Sequence, residues 1–215
     1  MEQLNTNIEG NSLQDVWKQY VNCVYHGSQG QDGAEAIREK FLVNVCFSPN
    51  ADFARLDPAM DIKQQRQYVK KLLTTELDPV LGGSYGYRIK KSYGVDQMEA
   101  LLKKLLEKPE SKAACVNLLH PVDAAIERDA GMQRMACMVN FQVLMRDEML
   151  HLIANFRSQN AWNSHGNFVG LHELHQQIVQ KLSEQGVGVG PGSLIIHVVA
   201  AHLYERDFAK AAALA

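Results

Sequence analysis

At 215 residues the chain has the length of one domain with a full hydrophobic core. Its 22 Lys and Arg stand against 24 Asp and Glu, a balance that excludes nucleic-acid or membrane binding through bulk charge. The four cysteines (Cys23, Cys46, Cys115 and Cys137) lack CxxC spacing, and no long apolar run resembles a signal peptide or membrane span. A soluble cytoplasmic protein with free thiols is expected, with no disulfide scaffold, zinc knuckle or other metal site.

In chain order, residues 1–11 are polar and read as a loosely held, flexible start. Leu13, Val16, Trp17, Tyr20, Val21 and Val24 recur at helical spacing, with Ser12 as N-cap. His26 to Gly33 is rich in Gly, Gln and Ser and reads as a loop. Arg38 follows, and then a β run from Phe41 that ends at Ser48-Pro49. An arginine on such a loop could clamp a phosphate, although an ordinary solvent-facing arginine fits the same residues. Lys63 to Leu77 carries Tyr68, Leu72 and Leu73 on a helical stripe, broken by Asp78-Pro79 and Gly82-Gly83.

Tyr85-Gly86-Tyr87-Arg88 comes next. Val95 to Leu106 is amphipathic, with Val95, Met98, Leu101, Leu102, Leu105 and Leu106 expected inward. Ala113 to Leu119 reads as a buried strand closed by His120-Pro121, and Glu127 to Gly131 as a polar turn. Met138 to Val143 alternates, Arg146-Asp147-Glu148 is a charged turn, and Leu150 to Phe156 resumes an apolar run. That is a hairpin. Cys137 opens its first strand and Arg157-Ser158 leaves the second, so thiol and guanidinium could meet at one rim of a sheet. An arginine there would lower the thiol pKa and hold an anion. A buried structural cysteine beside a surface arginine fits equally well on these residues alone.

Phe168, Leu171, Leu174, Ile178, Val179 and Leu182 mark a core-facing helix, and Gly186 to Gly192 a connecting loop. Ser193 to Tyr204 reads as a long strand that puts His202 and Tyr204 on one face. His165, His172 and His175 cluster in sequence, but i, i+3 spacing is not HExxH, and they read as surface or supporting residues. No repeat or linker divides the chain.

Together the later residues resemble the thymidylate synthase superfamily. The family pattern is a cysteine, a glutamine five residues on, Arg-Ser, an asparagine near a helix start, and His-x-Tyr on a late strand. Here these are Cys137, Gln142, Arg157-Ser158, Asn167 and His202-x-Tyr204. Tyr85-Gly86 and the Asp96-Gln97 helix start also match, and Lys108 to Lys112 resembles a phosphate-binding segment. The branch most similar is that of short archaeal-type synthases and pyrimidine nucleotide hydroxymethylases.

The resemblance implies a three-layer α/β fold around a mixed β-sheet and a homodimer formed through that sheet. It implies one-carbon transfer from 5,10-methylenetetrahydrofolate to C5 of dUMP, UMP, dCMP or CMP, without nucleic-acid or membrane partners. Cys137 would add to C6 of the base, Tyr85 would assist proton movement and Asn167 would read the base edge. Arg157, Ser158, Gln142, Lys112 from across the dimer, and Arg38 would hold the nucleotide, with Asn160 beside them. His202 and Tyr204 would take the sugar hydroxyl.

Several positions depart from the family. Met135-Ala136 precedes Cys137 where Pro-Pro is usual, and Ala113 stands where a second phosphate-binding arginine is expected. Asn160 replaces an aspartate, and the tryptophan expected after Tyr-Gly is absent. Glu76 is the one candidate for the family's catalytic glutamate. Eleven residues follow Tyr204, so the long segment that closes over the folate has no counterpart here. These departures lean toward hydroxymethylation. A nucleotide-binding relative without turnover is the alternative, and retention of Cys137 and Arg157 weighs against it.

Overall fold

Alternation of side chains decides the central sheet. In the central stretches of β3 (Glu35–Asp52), β5 (Met138–Arg146), β6 (Met149–Asn160) and β7 (Gly190–Tyr204), burial alternates from residue to residue. Val43, Val45, Phe47, Phe141, Val143, Leu152, Ala154, Phe156, Ile196 and Val198 face the core. A computed structural model describes residues 5–76, 84–121, 123 and 135–214. Within it β1 (Thr6–Ser12), β2 (Ser28–Asp32) and β4 (Cys115–Asn117) complete a seven-stranded mixed sheet of order β1-β3-β7-β6-β5-β4, with β2 on β3. The β1–β3 and β6–β7 pairs are parallel and the others antiparallel.

Helix α1 (Leu13–Tyr25) packs on β1 and β3 by the six apolar residues its spacing marks, and Ser12 caps it by accepting from Asp15 N. Helix α5 (Ser164–Glu184) lies on β6 and β7, and α2 (Ile62–Leu73) crosses outside it. Sheet, inner helices and outer helix make the three expected layers. Gly166 and Gly170, one turn apart, permit that crossing. A Cβ at Gly166 would lie 2.8 Å from Tyr68 Cβ, and one at Gly170 3.2 Å from Leu72 Cδ2. Helix α3 (Tyr85–Lys90) docks on the end of α2 in the same way, since a Cβ at Gly86 would stand 2.1 Å from Thr74 O. Helix α4 (Gln97–Glu107) covers β4, and α6 (Glu205–Ala212) follows β7.

Five local expectations are corrected. Residues 6–11 belong to β1, because their main chain pairs with 43–47 of β3 whatever the polarity of the side chains. Most of the expected His26–Gly33 loop is β2, which pairs with β3 around Gly33 at φ 62°. Arg38 therefore lies inside β3 and not on a loop. Val95 and Leu106 are exposed: α4 begins after its Asp96 cap, which leaves Val95 outside the helix and turns Leu106 off the buried stripe. His165 and His175 are buried, because α5 is covered by the sheet on one side and by α2 on the other. The breaks at Asp78-Pro79 and Gly82-Gly83 and the turn at Glu127–Gly131 lie outside the described residues.

The β5–β6 hairpin stands as expected. Asp147 and Glu148 take φ of 50° and 58° in a two-residue turn between Arg146 and Met149. The sheet's second face carries a polar row that runs strand by strand through Asn117, Asn140, Asn155, His197, Asn44 and Asn7. Within it Asn155 Nδ2 donates to Asn140 Oδ1 at 2.7 Å, Asn44 Nδ2 donates to Asn7 Oδ1 at 2.8 Å, and His197 Nδ1 lies 2.6 Å from Asn44 Oδ1. Exposed Phe41, Leu42 and Val199 lie beside the row. Among the described residues no helix is long and apolar enough to cross a membrane.

Candidate active site

The ends of β5 and β6 place Cys137 and Arg157 side by side, with Arg157 N donating to Cys137 O at 2.9 Å. The guanidinium turns back on the residues before the thiol. Its Nε donates to Ala136 O at 3.1 Å and its Nη2 to Met135 O at 2.8 Å. Arg157 thus braces the strand entry that presents the half-buried Cys137, while its side chain stays open to solvent. The main chain thus sets Cys137 and Arg157 side by side, with the guanidinium on the carbonyls that precede the thiol.

Two phenols lie within electrostatic reach of the thiol. Met138 N donates to Tyr85 Oη at 3.3 Å, and Tyr85 is the first residue of α3. Ser84 fixes that start: its Oγ accepts from Tyr87 N and also reaches Thr74 O at 2.9 Å. Burial, and then the Cys137 charge, push the Tyr85 hydroxyl well above its ordinary range. The same two causes raise Tyr68. Both phenols keep their protons at neutral pH, so both act as hydrogen-bond donors. Sequence reasoning saw Tyr68 only as part of an apolar stripe. Glycines at 166 and 170, one helical turn apart, were the signal that α2 presses close enough to bring it in. Glu76 is exposed, and its main chain bonds Thr74 Oγ1 and Ser84 Oγ in the stretch that follows α2.

Beside Arg157, Ser158 Oγ lies 3.3 Å from His202 Nδ1, and the rings of His202 and Tyr204 are 4.9 Å apart. The parallel β6–β7 ladder sets this, pairing Ser158 with Ala200 and Asn160 with His202. Burial lowers the His202 pKa, with nearby Asp32 opposing it. Tyr204 Oη donates to Asp32 Oδ2 at 2.8 Å. Asn160 Oδ1 accepts from Asn163 N at 3.2 Å, which closes the turn into α5. Asn167 is half-buried on the first turn of α5, and among the described residues none hydrogen-bonds its amide.

Three expected binding residues stand elsewhere. Gln142 lies five residues along β5 from Cys137, about 16 Å at strand rise, and donates through Nε2 to Lys112 O at 2.6 Å. Gln142 and the exposed Lys112 therefore form their own cluster at the sheet's outer face. Arg38 donates to Tyr25 O, and its guanidinium stacks 4.3 Å from the Tyr25 ring and 5.2 Å from the Phe208 ring. A strand residue stacked between two rings cannot swing over a phosphate as a loop arginine would.

A groove of about 360 Å3 opens between α2, the turn into α5 and α6, lined by Asp61, Gln64, Trp162, Asn163, Arg206 and Lys210, among others. Gln64 lies one turn before Tyr68 on α2. His165 is buried nearby against the Trp17 ring at 5.8 Å, and neither ring nitrogen has a partner. Burial lowers its pKa to about 4 against the pull of Asp61, so it is neutral. Both amide atoms of buried Gln159 are likewise unpaired. Orphaned polar atoms of this kind mark places for ordered water or ligand. Phe53 stacks on His172 at 3.9 Å and His175 Nε2 bonds Leu150 O, so the three helix histidines have separate partners and do not meet at a common point.

A family model described as thymidylate synthase matches residues 8–214. A "Putative thymidylate synthase" of Methanosarcina mazei is 29% identical over 207 residues, which cover 94% of this chain and 90% of the relative. Proteins with the same description are 27% identical in Methanococcoides burtonii and 26% identical in Methanothermobacter thermautotrophicus. They cover 94% and 95% of this chain, and 91% and 96% of themselves.

Proposed function

The chain belongs to the thymidylate synthase family, and from that premise we propose that it transfers a one-carbon unit to C5 of a pyrimidine nucleoside 5'-monophosphate through a Cys137 adduct at C6. The observation that carries this reading is the convergence of Cys137, Arg157, Tyr85 and Tyr68 at the open end of the β5–β6 pair. C5 of a pyrimidine is a poor nucleophile. Addition of the Cys137 sulfur to C6 moves the π pair onto the ring as an enolate, and C5 becomes nucleophilic. The thiol proton leaves to solvent, and the hydroxyls of Tyr85 and Tyr68 donate toward the new negative charge. Asn167 reads the base edge with an amide that offers both donor and acceptor. Arg157 and Ser158 take the phosphate, His202 and Tyr204 the sugar.

The groove between α2, the turn into α5 and α6 suits a folate. Trp162 offers an aromatic face, Asp61 acceptors for ring N–H groups, and Lys210 a cation for carboxylates. Bound there, 5,10-methylenetetrahydrofolate supplies the one-carbon unit. The polar lining, with the unpaired atoms of Gln159 and His165, favours admitting water, and so a hydroxymethyl product. The names of the relatives favour the second reading, methylation. A second copy of the chain covers the outer sheet face, where it brings its Lys112 to the phosphate. Mass spectrometry of products from dUMP, UMP, dCMP and CMP with 5,10-methylenetetrahydrofolate tests the proposal. A hydroxymethyl nucleotide with tetrahydrofolate supports water capture, a methyl nucleotide with dihydrofolate refutes it, and no product from any of the four sinks the transfer reading.

Arg157→Ala is expected to weaken nucleoside monophosphate binding by about 1.5–3 kcal/mol, the scale of a charged hydrogen bond. The free nucleoside loses much less, and calorimetry with both ligands compares them. Equal losses would mean that Arg157 only braces Met135 and Ala136. Tyr68→Phe keeps the ring against Gly166 and removes the hydroxyl. C5-hydrogen exchange is expected to fall roughly 10²-fold, with nucleotide affinity nearly unchanged. Exchange at the wild-type rate would reduce Tyr68 to a packing residue.

A further inference from the structure

The β2–β3 hairpin closes over the rings that end β7. Asp32 and Glu35 face each other across its turn, and both are latched to the β7–α6 junction. Tyr204 Oη donates to Asp32 Oδ2 at 2.8 Å, and Arg206 Nη1 lies 2.7 Å from both Glu35 carboxylate oxygens. The main chain sets this position as well, since the β3–β7 ladder pairs Ile37 with Tyr204 and Glu39 with His202. The Arg206 guanidinium is committed to Glu35 and stacks 4.3 Å from the Tyr204 ring. Asp32 therefore brings a carboxylate to the two residues that the reading above gives to the sugar.

A carboxylate accepts at about four lone-pair positions on two oxygens, and Tyr204 fills one of them. A ligand that covers Asp32 displaces water from the others, which is costly unless the ligand supplies donors. Ribose presents two adjacent hydroxyls that can serve two carboxylate oxygens together. Deoxyribose presents one. A carboxylate set against a ribose 2'-hydroxyl is a recurrent solution in nucleotide sites. Resting on the reading of this site as a nucleotide pocket, we propose that Asp32 selects ribonucleotides over deoxyribonucleotides, by accepting hydrogen bonds from the vicinal sugar hydroxyls. The substrate is then UMP or CMP, and not dUMP or dCMP.

Titration calorimetry of the full chain with UMP, dUMP, CMP and dCMP tests this in wild type, Asp32→Asn and Asp32→Ala. Within a base, the wild type is expected to bind the ribonucleotide roughly ten- to hundredfold tighter, the range of a charged hydrogen bond. Both variants should lose most of that preference by weakening the ribonucleotide far more than the deoxynucleotide, which keeps one of the two hydroxyls. Measurable deoxynucleotide binding by the variants reports an intact site. A wild type that binds both sugars equally or prefers deoxyribose overturns the proposal, as does a preference that survives in both variants. Product formation is read separately. An Asp32-dependent preference without turnover would sink the transfer reading and leave Asp32 standing. Equal binding and conversion of both sugars would do the reverse, and no binding of any nucleotide overturns both.

Discussion

Cys137→Ser abolishes exchange of the substrate's C5 hydrogen with solvent, a loss of ~10⁴-fold or more, the scale of removing a covalent nucleophile. A serine hydroxyl is a far weaker nucleophile than a thiolate and gains too little from the neighbouring Arg157 to compensate. The substitution is nearly isosteric at a half-buried position, so the unfolding midpoint should stay close to wild type. The other cysteines supply the contrast. Burial raises the thiol pKa of Cys46, helped by Glu9, and burial raises that of Cys115, so both hold less thiolate at neutral pH. Alanine at Cys23, Cys46 or Cys115 should leave exchange within a few-fold of wild type. Exchange by the Cys137→Ser protein at wild-type speed would remove Cys137 from the chemistry, and with it the whole adduct mechanism.

What could be read from the residues follows a physical division. Periodic burial is local information, so α1, α4, α5 and the β5–β6 hairpin were legible from spacing alone. Cys137 and Arg157 were legible as a pair because a hairpin makes its two ends neighbours. Strand pairing of polar segments was not legible. Nothing in residues 6–11 or 28–32 announces a strand, because the ladder bonds come from main chain and the partner is remote in sequence. That blindness misplaced Arg38 and concealed Asp32, both on the β2–β3 hairpin. Tyr68 was missed for a different reason. Its apolar spacing is genuine, but the same face of α2 that packs on Gly166 also borders the thiol. The buried state of His165 and His175 depended on how α2 lies across α5, which only the tertiary packing fixes.

Arg88 has the largest expected effect on stability, and it reaches the site through α3. Its Nη1 donates at 2.7 Å both to Leu118 O and to Asp123 Oδ2, and both charged side chains are buried. The pair ties α3, and so Tyr85, to the β4 edge of the sheet. Arg88→Met leaves the Asp123 carboxylate buried without its cation, and is expected to cost about 3–5 kcal/mol. Urea unfolding measures it, and C5 exchange should fall as well because Tyr85 loses its anchor. The double variant Arg88→Met/Asp123→Leu strands neither charge and should be more stable than Arg88→Met. A double variant that is worse would assign the effect to lost packing instead.

The pair also has an acid signature. For Asp123, burial pushes the carboxyl up, but the Arg88 hydrogen bond, the His120 N–H and the Arg88 charge outweigh it, so the pKa lies below the ordinary value near 3.9. A lowered carboxyl pKa contributes stability that is fully present above the unfolded value and is lost as pH falls through the folded one. His165, His172, His175 and His202, all lowered first by burial, already erode stability as pH drops below about 6.5, because the unfolded chain takes up protons that the folded one refuses. Wild type and Asp123→Asn should therefore lose stability in parallel from pH 6.5 down to about 4. Below about 4 both should keep falling, since Asp57 also has a lowered carboxyl pKa, but the wild type should fall faster and the gap between the two unfolding curves should narrow. A gap that stays constant from neutral pH to below 4 would mean that the Asp123 charge contributes nothing to holding α3 in place.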